Sequence, residues 1–204
     1  MIKAIFFDFE GVITKNGRLL HENYYEKIKE LISYDEFNVR YGKARLGEIS
    51  YEEFVKGWPR PENVIMDKVI FGKNSKEILE YLYKKVPLFL ASNHIPVLPK
   101  LEIKKLGAEK YFKKIFFSNE IKLKKPDDAF FKKIIQESGI KLKKNEMIFV
   151  DDAKANLETA KANGFFTVWV NQSNPKDHRN NVEYTPDYEI TDLMEVAKIC
   201  EKLN

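Results

Sequence analysis

The sequence contains very little cysteine. Cys200 is the single cysteine in a chain of 204 residues. An intrachain disulfide and a cysteine-cluster zinc site are therefore both excluded. A hard metal ion held by oxygen ligands is still compatible with the composition.

Long apolar runs are also missing. The longest, such as residues 4–7 and 86–92, fall far short of the roughly 18 residues that span a bilayer, which excludes an integral membrane protein. The amino terminus leads from Met1 into a strand-like run without the charged, apolar and small-residue order of a signal peptide. We therefore expect a cytoplasmic protein with no membrane partner.

Positively charged residues outnumber the acids, but the excess is unevenly distributed along the chain. The net charge is +4, yet residues 100–144 hold 14 lysines and 6 acids, a local +8 that leaves −4 for the rest. The lysines come in doublets among apolar residues, which is typical of the solvated faces of amphipathic helices. No familiar nucleic-acid-binding motif accompanies them, so we predict no nucleic-acid partner. Attraction of an anionic substrate is the alternative.

Apolar strands alternate with helical patterns along most of the chain. Hydrophobic residues make up 44% of the sequence, enough for a substantial core. Helical spacing separates most of the strand-like runs and predicts a Rossmann-like α/β core, a parallel sheet with helices on both faces. The predicted strands are residues 4–7, 87–91, 115–117, 147–150 and 167–170. The predicted helices cover residues 75–84, 97–105, 127–137 and 153–163.

Residues 15–74 do not follow this alternation. They are rich in aromatic residues and in helix and turn signals, with a break at residues 58–61, where two prolines stand close together. We interpret residues 15–74 as an inserted helical domain and residues 1–14 and 75–204 as the α/β core.

Acidic and polar residues follow several of the predicted strands. In a parallel sheet the ligand site lies beyond the carboxyl ends of the strands. The residues at these positions are Asp8, Glu10, Gly11, Ser92, Asn93, Asp151 and Asp152. Adjacent buried carboxylates are costly unless they share a cation, and Mg²⁺ suits carboxylates combined with a substrate phosphate. Lys124 or Lys125 would supply the complementary positive charge. An acidic nucleophile, a metal and a lysine around one point predict phosphoryl chemistry.

Four separated motifs give the chain a resemblance to a known family. In order they are FFDFEGVI, LFLASNH, KLKKPDDAFF and IFVDDAKANLETAKANGF. Together they resemble motifs I to IV of the haloacid dehalogenase (HAD) superfamily. The insertion between the first two resembles a helical C1 cap of subfamily I, and ARLGEISYEEF at residues 44–54 adds weaker support. The resemblance implies a phosphatase-like hydrolase.

The resemblance also implies roles for individual residues. Asp8 would be the nucleophile that forms an aspartyl-phosphate, and Lys125, which precedes Pro126, would pair with it and with the phosphate. Ser92, Asn93 and the backbone around Gly11 would bind the phosphoryl oxygens. Mg²⁺ would be held by Asp8, the backbone carbonyl of Glu10, Asp152 and Asp151, with Asp152 the better candidate for direct contact.

Glu10 departs from the family pattern. Phosphatases of the superfamily usually carry an aspartate there as general acid and base, and glutamate adds one methylene. The main prediction is hydrolysis of a small phosphorylated metabolite. A weakly active or non-catalytic protein that binds a phosphorylated ligand is an alternative. A metal-independent 2-haloacid dehalogenase is another, although the paired acids argue against it.

Substrate selection would fall to the insertion. Closure of a cap over the site would choose the leaving group, and Tyr24, Tyr41, Arg45 and Trp58 are candidate selectors. His94, beside motif II, could face the same pocket.

Overall fold

The computed structural model describes residues 1–171 and 178–204. Its centre is a six-stranded, fully parallel sheet in the order β3-β2-β1-β4-β5-β6. The strands are β1 (Ala4–Phe7), β2 (Leu88–Ser92), β3 (Lys114–Phe117), β4 (Met147–Asp151), β5 (Phe165–Val170) and β6 (Tyr188–Ile190). This order is that of a Rossmann-like fold, with a topological switch point between β1 and β4. The predicted fold class is confirmed.

Helices cover both faces of the sheet. They are α5 (Ser75–Leu82), α6 (Leu98–Leu106), α7 (Ser118–Ile121), α8 (Asp128–Glu137), α9 (Lys154–Ala162) and α10 (Glu195–Leu203). The alternation of side chains along β1 explains the two layers. Ile5 and Phe7 join one apolar cluster with residues of α5, α6 and α10, whereas Phe6 joins another with residues of α8 and α9.

Four α-helices lie between β1 and α5. They are α1 (Tyr25–Ile28), α2 (Tyr34–Arg45), α3 (Tyr51–Val55) and α4 (Glu62–Ile65). Serine N-caps begin α2 and α3, and the predicted break at residues 58–61 separates α3 from α4. The apolar cluster of these helices extends to Ile95 and Leu98 of the sheet-bearing part, so their status as a separate domain stays a prediction.

Three local features differ from the predictions. Strand β6 and helix α10 were not predicted, and α8 begins at Asp128, one residue later than predicted, with Asp127 as its N-cap. Among the helices of the described part of the chain, none has the length and apolar character needed to cross a bilayer.

Candidate active site

The predicted acids meet at the carboxyl edge of the two central strands. Asp8 directly follows β1, Asp151 is the last residue of β4, and the two strands are hydrogen-bonded neighbours. Carboxylate oxygens of Asp8, Asp151 and Asp152 lie within 4.8 Å of one another. This edge is the switch point of the sheet, where ligands of such folds bind.

Lys125 lies between two of these acids. Its Nζ is 2.8 Å from Asp8 Oδ1 and 2.7 Å from Asp151 Oδ2, and the residue is 3% exposed. The Asn93 side chain fixes its main chain, because Asn93 Oδ1 accepts from Lys125 N and Asn93 Nδ2 donates to Lys125 O, both at 2.8 Å. Asn93 therefore positions the lysine, and its role in phosphate binding stays a prediction.

Both carboxylate oxygens of Asp151 accept hydrogen bonds from neighbouring residues. Besides the lysine, its carboxylate accepts from the Ala153 N–H at 2.8 Å and from Asn156 Nδ2 at 3.0 and 3.1 Å. Both oxygens are therefore occupied. The geometry favours Asp152 for direct metal contact, with Asp151 acting as an anchor for Lys125.

Asp8 keeps one oxygen available. Oδ1 accepts from the Phe9 N–H at 2.7 Å and pairs with Lys125. Among the described residues, no donor or cation is paired with Oδ2, and Asp8 lines a cavity of about 700 Å³. Burial raises the pKa of Asp8 to about 6, with the lysine charge opposing this rise and Asp151 adding to it.

Asp152 has an unsatisfied oxygen. Its Oδ2 is 3.0 Å from Arg179 Nη2, and its main-chain oxygen accepts from Trp169 Nε1 at 3.0 Å. Its Oδ1 is buried and makes no hydrogen bond within the described residues. Burial raises the pKa of Asp152 to about 8 despite Arg179. An orphaned carboxylate oxygen beside two other acids fits a hard cation such as Mg²⁺.

Glu10, which lines the cavity, belongs to a triad with the buried residues His94 and Glu102. Glu10 Oε2 accepts from the Arg18 N–H at 3.2 Å, and Glu10 Oε1 is 3.6 Å from His94 Nε2, which is 3.3 Å from Glu102 Oε2. Burial acts to lower the pKa of His94, but the two carboxylates outweigh it and raise that pKa to about 10. The ligand atoms of the three side chains also lie within 4.8 Å of one another, close enough to surround a metal ion.

The triad includes one residue that the sequence did not single out. Glu102 was not predicted because it lies in α6, where a glutamate is ordinarily a solvent-facing residue of an amphipathic helix. Here it is fully buried. His94 is also buried and contacts Glu10 from behind, so it does not line the cavity.

The remaining predicted residues lie around a cavity of about 700 Å³. Ser92 lines it beside Asp8, Glu10, Asn93 and Lys125, and Lys124 also contributes to the wall. The Gly11 N–H donates to Thr14 Oγ1 at 3.3 Å, an interaction within its own turn. Its role in phosphate binding stays a prediction.

Two of the four candidate selectors reach this cavity. Tyr41 and Arg45 line it. Tyr24 instead packs inside the helical cluster and donates to the Pro59 carbonyl at 2.6 Å, and Trp58 stacks under the Arg40 guanidinium at 3.9 Å. Arg18, His21 and Arg179, which were not predicted, line the cavity as well.

Comparisons with known proteins identify the family of the chain. The sequence model of the haloacid dehalogenase-like hydrolases matches residues 5–170. A search of curated proteins finds no match.

Several solved structures share the fold. A HAD family enzyme of Bacteroides thetaiotaomicron, solved with magnesium and inorganic phosphate, is 22% identical, with a TM-score of 0.68 over 87% of this chain and 98% of that one. A predicted HAD-like hydrolase of Porphyromonas gingivalis is 23% identical, with a TM-score of 0.67 over 98% of both chains. The L-2-haloacid dehalogenase of Xanthobacter autotrophicus is 14% identical, with a TM-score of 0.70 over 100% of both.

Proposed function

Because the chain belongs to the haloacid dehalogenase-like hydrolase family, we propose that it is a Mg²⁺-dependent phosphatase acting on a small phosphate monoester. One observation carries the proposal: a buried aspartate, ion-paired through one oxygen to Lys125, has its second oxygen available at a cavity beside an acid with an orphaned oxygen. A nucleophile, a fixed cation and a metal-binding acid are the parts that phosphoryl transfer requires.

The first step forms a covalent intermediate on Asp8. Oδ2 bonds to phosphorus as the bond to the ester oxygen breaks, and Glu10 in its protonated form donates its proton to the leaving oxygen, which departs as an alcohol. Burial acts to raise the pKa of Glu10, but His94 outweighs it and lowers that pKa, which favours the carboxylate left after the transfer. Lys125 offsets the charge that gathers around the phosphoryl group, and Ser92 at the cavity wall can donate to its oxygens.

The second step restores the enzyme. Glu10 takes a proton from a water molecule as that water attacks phosphorus, and the bond to Asp8 breaks to release inorganic phosphate. Arg18 N–H and His94 contact the two Glu10 oxygens and so fix the carboxylate that moves the proton in both steps.

Asp8, Asp152 and the Glu10 carbonyl would hold Mg²⁺, with Asp151 anchoring the lysine behind them. When bound, the ion supplies charge neutralisation at the phosphoryl oxygens. The HAD family enzyme of Bacteroides thetaiotaomicron solved with magnesium and phosphate supports this assignment by analogy.

The helical insertion would act as the cap of this site. It supplies Arg18, His21, Tyr41 and Arg45 to the same cavity that Asp8 lines. A cavity of about 700 Å³ has the size of a small-molecule pocket, so we propose a small phosphorylated metabolite as substrate.

Phosphate release from p-nitrophenyl phosphate tests the proposal. We expect turnover with Mg²⁺, none with excess chelator, and a loss of at least about 1000-fold in Asp8→Asn, because the nucleophile is removed. Asp67→Asn is the matched control, since Asp67 is exposed and lies outside the cavity. Equal activity in Asp8→Asn would contradict the assignment of the nucleophile. Chelator-resistant chloride release from 2-chloropropionate, without phosphatase activity, would instead identify a dehalogenase.

A further inference from the structure

The five arginines of the chain divide into two groups. Three are paired with carboxylates: Arg40 with Glu36, Arg60 with Glu52 and Glu62, and Arg179 with Asp152. For Arg18 and Arg45, no carboxylate of the described residues lies within ion-pairing distance of the guanidinium. Both of these arginines line the cavity that contains Asp8. Guanidinium groups without counterions are thus concentrated at one place.

The helical insertion brings no acid to this cavity. Its contribution is Arg18, His21, Tyr34, Asn38, Tyr41 and Arg45. His21 Nε2 lies 3.2 Å from Asn38 Oδ1. Burial, together with the charges of Arg18 and Arg45, lowers the pKa of His21 to about 4. Two arginines therefore set the sign of the potential on this side of the cavity, while neutral side chains supply donors and acceptors.

Arg45 is held in place before any ligand binds. Its guanidinium lies over the Tyr41 ring, 4.6 Å from the centroid. Its carbonyl, at the end of α2, accepts from Ser118 Oγ of α7 at 2.7 Å. Two further residues on, Gly47 packs closely against the Asn119 backbone. A cation fixed in this way loses little conformational entropy when an anion binds.

The Arg45 Nε is also buried and makes no hydrogen bond to any described residue. A buried donor without an acceptor is costly, and an anionic ligand would supply the acceptor. The phosphoryl group already has Lys125 and the acid cluster at the strand ends. The arginines of the insertion are thus available for a different part of the substrate.

We propose that the substrate carries a second anionic group, a carboxylate or a second phosphate, which binds to Arg45 with help from Arg18. This inference rests on the proposed phosphatase function and adds the class of substrate. Guanidinium groups suit both anions because they can donate two parallel hydrogen bonds to either.

Direct binding to an inactive chain tests the inference. In Asp8→Asn with Mg²⁺, calorimetry would compare 3-phosphoglycerate with glycerol 3-phosphate, which differ by a carboxylate, and fructose 1,6-bisphosphate with fructose 6-phosphate, which differ by a phosphate. We expect at least one doubly anionic ligand to bind about 10-fold or more tighter than its partner. The pair that shows the difference identifies the second anion.

Arginine variants in the same background complete the test. Arg45→Gln should remove the preference, whereas Arg60→Gln should keep it, because Arg60 is paired with Glu52 outside the cavity. Equal affinity for both members of each ligand pair in Asp8→Asn with Arg45 present would overturn the inference. So would a preference for the doubly anionic ligand that survives Arg45→Gln. So would an equal weakening of both ligands, which would place Arg45 on the transferred phosphate. Turnover of p-nitrophenyl phosphate by the native chain, measured separately, shows whether the phosphatase function stands.

Discussion

The extra methylene of Glu10 brings its carboxylate to two specific partners. Its carboxylate accepts from the Arg18 N–H at 3.2 Å and lies 3.6 Å from His94 Nε2. An aspartate would withdraw the carboxylate from both groups by about one C–C bond. The contacts around residue 10 are therefore those of a glutamate carboxylate.

This geometry predicts that Glu10→Asp lowers activity. We expect kcat with Mg²⁺ to fall about 10- to 100-fold, because displacement of a catalytic group by roughly 1 Å has costs of this size. Steady-state turnover of an aryl and an alkyl phosphate would measure it, with the exposed Glu30→Asp as control. An unchanged or higher kcat in Glu10→Asp would show that the contacts to Arg18 and His94 do not position the carboxylate.

Residues at the strand ends could be predicted from the sequence, and residues brought in by packing could not. Asp8, Asp151 and Asp152 each follow an apolar strand, so the general geometry of parallel sheets predicts that they meet. Glu102 and Arg18 carry no such local signal. Glu102 is buried only because α6 presents that face to His94, and Arg18 reaches the cavity through the path of the chain after β1.

At the scale of elements, the contact between α2 and α7 depends on a glycine. Gly47 has a φ of +64°, and a Cβ there would lie 2.3 Å from the Asn119 carbonyl oxygen. Gly107, at the end of α6, has a similar φ of +61° but open space around its Cβ position. Both glycines have a left-handed backbone, but only Gly47 is closely packed. Comparing alanine substitutions at the two positions therefore separates the cost of the backbone conformation from the cost of the clash.

We predict that Gly47→Ala is more destabilising than Gly107→Ala. Both substitutions carry the cost of a left-handed conformation, about 1 kcal/mol, and only Gly47→Ala adds a clash with backbone, worth about 1–3 kcal/mol more. Urea unfolding of both variants gives the comparison. Equal losses of unfolding free energy would mean that α2 and α7 separate easily.

The sequence predicts long periodic elements better than short ones. The predicted ends of five strands lie within one or two residues of the observed ends, because each strand contains a run of mostly buried apolar residues. Strand β6 has three residues at the sheet edge, with only Ile190 buried, so it has no comparable run. Helix α10 buries Val196, Ile199 and Cys200. The sequence carries that helical spacing.

At the scale of the whole molecule, the local lysine surplus lies largely on the surface. Several of these lysines pair with acids of the same region, such as Lys114 with Glu137 and Lys132 with Asp128. Lys125 is the exception because it is buried between Asp8 and Asp151. Among the lysines of this region, only Lys125 is buried, and it lies in the candidate site between two acids.

The site joins two parts of the chain. The insertion leaves and re-enters the core side by side, with Thr14 bridged to Phe71 and the Gly72 N–H donating to the Ile13 carbonyl at 2.9 Å. The core supplies the acids and Lys125, and the insertion supplies the unpaired arginines. A ligand that fills the cavity would contact both parts and stabilise them together.

Metal binding should therefore be visible in the stability of the whole chain. An ion that binds only the folded state stabilises it by about 2.7 kcal/mol at 100 times its Kd, which corresponds to a rise in Tm of about 5–10 °C for a chain of this size. We expect Mg²⁺ to produce such a rise in the native chain in thermal unfolding followed by circular dichroism. Asp152→Asn should abolish most of it, because the orphaned Oδ1 is then part of a neutral amide.

The exposed Asp67→Asn variant, compared in the same buffer, should keep the full rise in Tm. An equal rise in Asp152→Asn would place the ion elsewhere on the chain. A native chain whose Tm does not respond to Mg²⁺ at millimolar concentration would remove the ion from the acid cluster. The buried carboxylate of Asp152 would then need another partner, and Arg179, 3.0 Å from its other oxygen, is the cation already beside it.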